Sequence, residues 1–171
     1  GVTGWTPFVY RAIIEANGNV LSSESTVGAI RGGGLRVDFA TSSFGVAWNN
    51  IDGDSDQEIF FVALDLYGTT SGAEAKITDN LVDSDGSDIL WTGSAHALVW
   101  VDRQAGNADI YHGLLSEDGS ILEGNIQVTT DPGSSIQPSI AWSGETELGI
   151  VWVDDRDGNN EIYFNFAGHC D

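Results

Sequence analysis

Trp142-Ser-Gly-Glu-Thr-Glu-Leu-Gly-Ile-Val-Trp152-Val-Asp-Asp-Arg156-Asp-Gly158-Asn-Asn-Glu161-Ile162-Tyr163-Phe164 decides the fold, because the same line is legible twice more upstream. Trp100 stands 52 residues before Trp152, and Trp48 stands 52 before Trp100. Each tryptophan is followed by an apolar triplet: Ile59-Phe60-Phe61, Ile110-Tyr111-His112 and Ile162-Tyr163-Phe164. Recurrence at such a period marks a repeat architecture, in which each unit buries its faces only by stacking on its neighbours.

Working outward, the third unit covers about residues 137–171, with strands expected at 139–142, 148–154 and 161–166. The second, about 87–136, carries strands at 89–92, 97–102, 109–115 and 125–129. The first, about 35–86, carries them at 35–41, 44–49, 58–66 and 75–78. Residues 1–34 form a partial unit. There Val9-Tyr10 aligns with Ile110-Tyr111, and the Asn17-Gly18 turn aligns with Asp118-Gly119. Asn-Gly and Asp-Gly supply the positive φ of tight hairpins. The count is thirteen strands in one repeat domain spanning 1–171, with the third unit stopping before a fourth strand.

Four strands in about 50 residues, apolar on both faces, predict an all-β protein of β-propeller blades: about three full blades and a partial N-terminal one. A β-sandwich leaves the 52-residue recurrence unexplained, and a β-solenoid needs shorter coils. The chain opens on third- and fourth-strand sequence and ends on a third strand. The expectation is therefore a slice of a longer propeller, or one part of a ring made by several chains.

Pro138-Ser-Ile-Ala-Trp142-Ser-Gly, then Gly149-Ile-Val-Trp152-Val-Asp-Asp-Arg156-Asp-Gly158-Asn-Asn-Glu161-Ile162-Tyr163, resembles the TolB-type propeller repeat. The Asp-Arg-x-x-Gly-Asn hairpin carries most of the resemblance, kept around Arg156–Asn159 and loosely at 102–107. Val128-Thr129 is similar to the Leu-Thr that closes a blade in that family, whereas Pro-Asp-Gly after the first strand is replaced here by Gly-Glu or Gly-Ser. The resemblance implies a scaffold for protein contacts, and places Trp91, Trp142 and Phe39 on innermost strands lining a central channel.

Composition narrows the partners. Twenty-six acidic against six basic residues give a formal charge of -20, which repels nucleic acid and anionic lipid. That acidity fits a secreted, calcium-rich or saline setting, and equally a soluble domain with Asp-rich loops. No apolar run approaches the roughly 18–20 residues that span a bilayer. The single cysteine, Cys170, excludes an internal disulfide. Twenty-two glycines, no methionine and frequent turn signals favour short strands over long helices.

Among chemistry-bearing residues, Asp52, Asp54 and Asp56 alternate along one hairpin loop, a spacing with which a loop wraps calcium; a solvated turn is the competing reading. Arg103 and Arg156 are expected to form turn-stabilising ion pairs with Asp109 and Glu161. His96, His112 and His169 are not at metal-ligand spacing. No Gly-x-Ser-x-Gly elbow is present. Trp48, Trp100 and Trp152 sit mid-strand and are core residues first. Trp91, Trp142 and Phe39 are the candidate ligand-binding positions, since indole faces stack on sugar rings. The reading is thus a non-catalytic, extracytoplasmic module (extracellular, cell-surface or periplasmic) that contacts protein or glycan, with self-association or continuation in a longer chain. A repeated-site lectin is the first alternative, and a sialidase-like glycoside hydrolase the second.

Overall fold

A computed structural model describes residues 8–21, 25–29, 33–51, 53 and 55–168. All regular structure among them is β: thirteen strands in four antiparallel sheets. The first sheet pairs β1 (Phe8–Arg11) with β2 (Ser25–Ala29). Blade 1 is a meander of β3 (Arg36–Phe39), β4 (Ser43–Ile51), β5 (Gln57–Asp65) and β6 (Ala75–Lys76). Blade 2 repeats it with β7 (Ser84–Trp91), β8 (His96–Asp102), β9 (Asp109–Leu115) and β10 (Ile121–Gln127). Blade 3 has three strands, β11 (Ser135–Trp142), β12 (Glu147–Asp154) and β13 (Glu161–Gly168). The chain is an all-β assembly of propeller blades.

The first strand of blade 2, β7, packs against the first strands of both neighbours, β3 and β11, so these three are the innermost. Period-2 alternation then gives each blade two apolar faces, one for each adjacent blade. Ala47, Ile59, Phe61 and Ala63 of blade 1 meet Leu98, Trp100, Tyr111 and Leu115 of blade 2. One interface further on, Val99, Val101 and Ile110 of blade 2 meet Ile150 and Trp152 of blade 3. Trp48, Trp100 and Trp152 are core residues, 0%, 0% and 5% exposed. Each stacks on the aromatic opposite it: Phe60 at 6.0 Å, Tyr111 at 6.4 Å and Tyr163 at 6.1 Å between centroids.

Polar side chains repeat as regularly. The hydroxyl of Thr78 accepts the Ile59 N–H at 2.9 Å and donates to Glu58; Thr129 accepts from Ile110 at 2.9 Å and donates to Asp109 at 2.7 Å. Burial pushes the Glu58 and Asp109 carboxyls above the usual range. On the second strand of the later blades, Asp102 accepts from Ser84 at 3.0 Å and Asp154 from Ser135 at 2.7 Å. These bonds fasten the start of the inner strand, and among the described residues no buried carboxylate is left without a donor.

Several expectations need correction. Strands β7 and β11 begin at Ser84 and Ser135, earlier than expected, because Ser84 and Ser135 are bonded to the acidic ends of β8 and β12 and a register shift follows each start. The closing strand of blade 2 occupies Ile121–Gln127, and that of blade 1 only Ala75–Lys76. The arginines choose other carboxylates. Arg103 reaches Asp85 at 2.9 Å, since Asp85 lies opposite Val101 on the adjacent strand. Arg156 binds Asp154 at 2.6 Å and Asp131, and stacks 4.3 Å from the centroid of Tyr163. With that guanidinium against it, the Asp154 carboxyl is held far below the usual carboxylate range.

Candidate functional site

The inner strand of each blade ends on an aromatic residue, Phe39, Trp91 or Trp142, paired with the first or second residue of the next strand. Side-chain carboxylates tie these strands together. The Trp91 N–H donates to the Asp38 carboxylate, while Asp88 accepts from the Ser139 hydroxyl at 2.9 Å and the Ile140 N–H at 3.1 Å. Arg36 lies 3.6 Å from Asp88. The three aromatics therefore stand at the same end of three neighbouring strands.

Their surroundings differ. Phe39 is 49% exposed and tilts against Phe44 at 5.0 Å. Trp91 is half-buried, its ring edge-on to His96 at 4.8 Å. His96 is fully buried, and neither ring nitrogen has a partner among the described residues. Burial pushes its pKa down, opposed by the charges of Asp38 and Glu117. At the first hairpin tip of blade 1, Glu117 accepts from the Ser42 N–H, the Ser42 hydroxyl and the Ser43 hydroxyl, each at 3.0 Å. Those bonds hold the Glu117 carboxyl below the usual range.

Trp142 lines a recess. A cavity of about 300 Å³ lies between the first hairpin tips of blades 2 and 3, with Trp142 as one wall. Its floor is Ala95, Leu114 and Leu148, and its rim is Thr92, Gly93, Ser94 and Glu145. Local chemistry fixes both tips. The Thr92 hydroxyl bonds the Ala95 carbonyl at 3.0 Å and the Ala95 N–H at 3.1 Å, and Gly93 takes the left-handed φ of 102° that the turn requires. On the other tip the Ser143 hydroxyl accepts from the N–H groups of Glu145 and Glu147, at 3.3 and 3.1 Å. The Glu145 side chain thus projects at the rim from a braced turn.

A half-buried indole above an aliphatic floor, with hydroxyls and one carboxylate on the rim, suits a ligand that offers both a C–H face and several O–H groups. The turn residues Thr92, Ser94 and Glu145 carried no sequence signal beyond the Ser-Gly character of the tips. Of the proposed calcium ligands, Asp52 and Asp54 lie outside the described residues; Asp56 is partly buried. Among the described residues no group of three or more His, Cys, Asp or Glu could hold a metal ion. His169 and Cys170 also lie outside them. No helix among the described residues is long and apolar enough to cross a membrane, which says nothing of strands.

No family model and no curated protein matches the chain. Among solved structures it is similar to a GH43 endo-arabinanase from Bacillus licheniformis, at 11% identity and a TM-score of 0.45. The match covers 84% of this chain and 59% of that one. A likeness of this size carries no inference about activity.

Proposed function

We propose that the chain is a non-catalytic binding module of TolB-like β-propeller type, working outside the cytoplasm, and that it holds a neutral saccharide in the cleft between blades 2 and 3. The observation that carries this reading is the half-buried Trp142 indole facing a cavity of about 300 Å³, large enough for one or two sugar rings. The sugar's C–H face would lie on the indole, and its hydroxyls would reach Glu145, Thr92 and Ser94. The strongly acidic surface favours a neutral or cationic ligand over an anionic one. Binding is preferred to hydrolysis on the same lining: glycosidases mostly act with a pair of carboxyls flanking the bond, and this cleft carries Glu145 alone.

A glycan array probed with the wild-type chain and with Trp142→Ala tests the reading. The expected result is a restricted set of neutral glycans whose signal drops at least about tenfold in the variant, the scale of one lost stacking contact. No glycan retained by the wild type, or equal retention by Trp142→Ala, overturns it.

A further inference from the structure

The cleft between blades 2 and 3 sets spare hydrogen-bond donors, one carboxylate and an apolar floor side by side. At its rim the Thr92 hydroxyl is already engaged, donating to the Ala95 carbonyl at 3.0 Å and accepting the Ala95 N–H at 3.1 Å. Ser94 is held less firmly. Its N–H and its hydroxyl each make one long contact of 3.4 Å among the described residues, both to the Thr92 hydroxyl, so both can turn to a ligand.

The preceding blade shows what a serine at this place binds. Ser42 stands 52 residues before Ser94 and occupies the same position in its hairpin. Both turns close with the same backbone bond, Ala40 N–H to the Ser43 carbonyl and Thr92 N–H to the Ala95 carbonyl. In blade 1 the Ser42 N–H, the Ser42 hydroxyl and the Ser43 hydroxyl converge on one oxygen of Glu117, each at 3.0 Å. The blade 2 turn differs at Gly93, whose φ is 102°, so the place of the serine carries over and the direction of its N–H does not. The second serine is also changed: Ser43 corresponds to Ala95, whose methyl joins the cleft floor. A cradle for an acceptor oxygen has become a cradle for an acceptor oxygen beside an apolar group.

Three common acceptors can be weighed against that lining. A carboxylate is opposed by Glu145 on the facing tip and by the formal charge of -20. A hydroxyl would leave the floor of Ala95, Leu114 and Leu148 against a polar group. An acetamido group matches every part: its carbonyl oxygen accepts from Ser94, its N–H donates to the Glu145 carboxylate, and its methyl lies on the floor. We infer, on the reading of this cleft as a saccharide site, that it selects an N-acetylhexosamine over the parent hexose.

Titration of the full chain with the methyl glycosides of N-acetylglucosamine, N-acetylgalactosamine, glucose, galactose and glucosamine, followed at the Trp142 indole N–H, tests this. At least one N-acetylhexosamine should bind about tenfold or more tighter than its parent hexose, the scale of one hydrogen bond and one buried methyl together. Ser94→Ala, at an exposed turn position where the variant folds, should narrow that ratio about threefold. Equal affinity for N-acetylated and parent sugars, or an unaltered ratio in Ser94→Ala, overturns the inference and leaves the saccharide site in place. Glucosamine binding as tightly as N-acetylglucosamine does the same, because the cleft would then be reading the cationic amine. A Trp142 signal unmoved by all five sugars overturns it too, and a glycan array on which the wild type retains nothing removes the saccharide site as well.

Discussion

The two tryptophans Trp100 and Trp152 occupy the same place in successive blades, yet replacing each by phenylalanine should have very different consequences. Both are buried and stacked on a tyrosine, so the loss of ring area and the cavity left behind are common to the two variants. The indole N–H is what separates them. Trp152 donates to the buried Asp154 carboxylate at 2.9 Å, a bond to a charged group worth about 1.5–3 kcal/mol. The Trp100 N–H has no partner among the described residues, and removing an unsatisfied buried donor relieves roughly 1–3 kcal/mol. Trp152→Phe should therefore be less stable than Trp100→Phe by at least about 2.5 kcal/mol, taking the low end of both terms. Urea unfolding followed by far-ultraviolet circular dichroism reads this as a midpoint lower by more than about 1 M, for a slope near 2 kcal/mol/M. Midpoints that agree to within about 0.2 M would refute the assignment of the polar term.

His96 predicts a pH effect of definite sign. Its folded pKa is lowered, so the stability it contributes is present above the unfolded value of about 6.5 and is lost as pH falls below it, at up to about 1.4 kcal/mol per unit. His112, lowered by burial, acts in the same sense, and the raised carboxyls of Glu58 and Asp109 act in the opposite one. His96→Leu, which copies Leu148 of blade 3, should flatten the melting temperature between about pH 7.5 and 5.5; an unchanged slope rejects the role. Gly45→Ala places a Cβ 2.6 Å from the His96 ring and 2.8 Å from Phe61, and should cost about 1–3 kcal/mol by overpacking, read as a lower urea midpoint; a neutral effect would mean the ring yields freely. If the loop of Asp52, Asp54 and Asp56 binds calcium, the ion raises the wild-type melting temperature and fails to do so in Asp54→Ala; equal shifts in both reject the site.

Blade number and strand order were legible because the core tryptophans and the triplets after them recur at a fixed interval, and stacking makes the same demand on each unit. The starts of β7 and β11 were hidden. Ser84 and Ser135 look like loop residues until their partners, Asp102 and Asp154, are brought back beside them by the following hairpin. Glu-Gly-Asn inside β10 concealed a strand interrupted by two register shifts, with Asn125 at a φ of 57°. Arg103 and Arg156 were matched to the acids across their hairpins, but Arg103 finds Asp85 on the adjacent strand, and Arg156 finds Asp154 two residues before it and Asp131 on a loop. At the cleft, Trp142 could be picked from its place in the repeat. Glu145, Thr92 and Ser94 could not, because only the approach of two hairpin tips joins them.

The claim that the cleft between blades 2 and 3 is the binding site is tested most directly by watching the tryptophan indole N–H signals during titration with the best array glycan. Six tryptophans give at most six resolvable resonances in a proton–nitrogen correlation spectrum, assignable by single substitutions. The Trp142 signal should move with ligand while those of Trp48, Trp100 and Trp152 stay in place, and Glu145→Gln should weaken the titration without altering the free spectrum elsewhere. A glycan that binds with the Trp142 signal unmoved, or that shifts only the core tryptophans, contradicts the site.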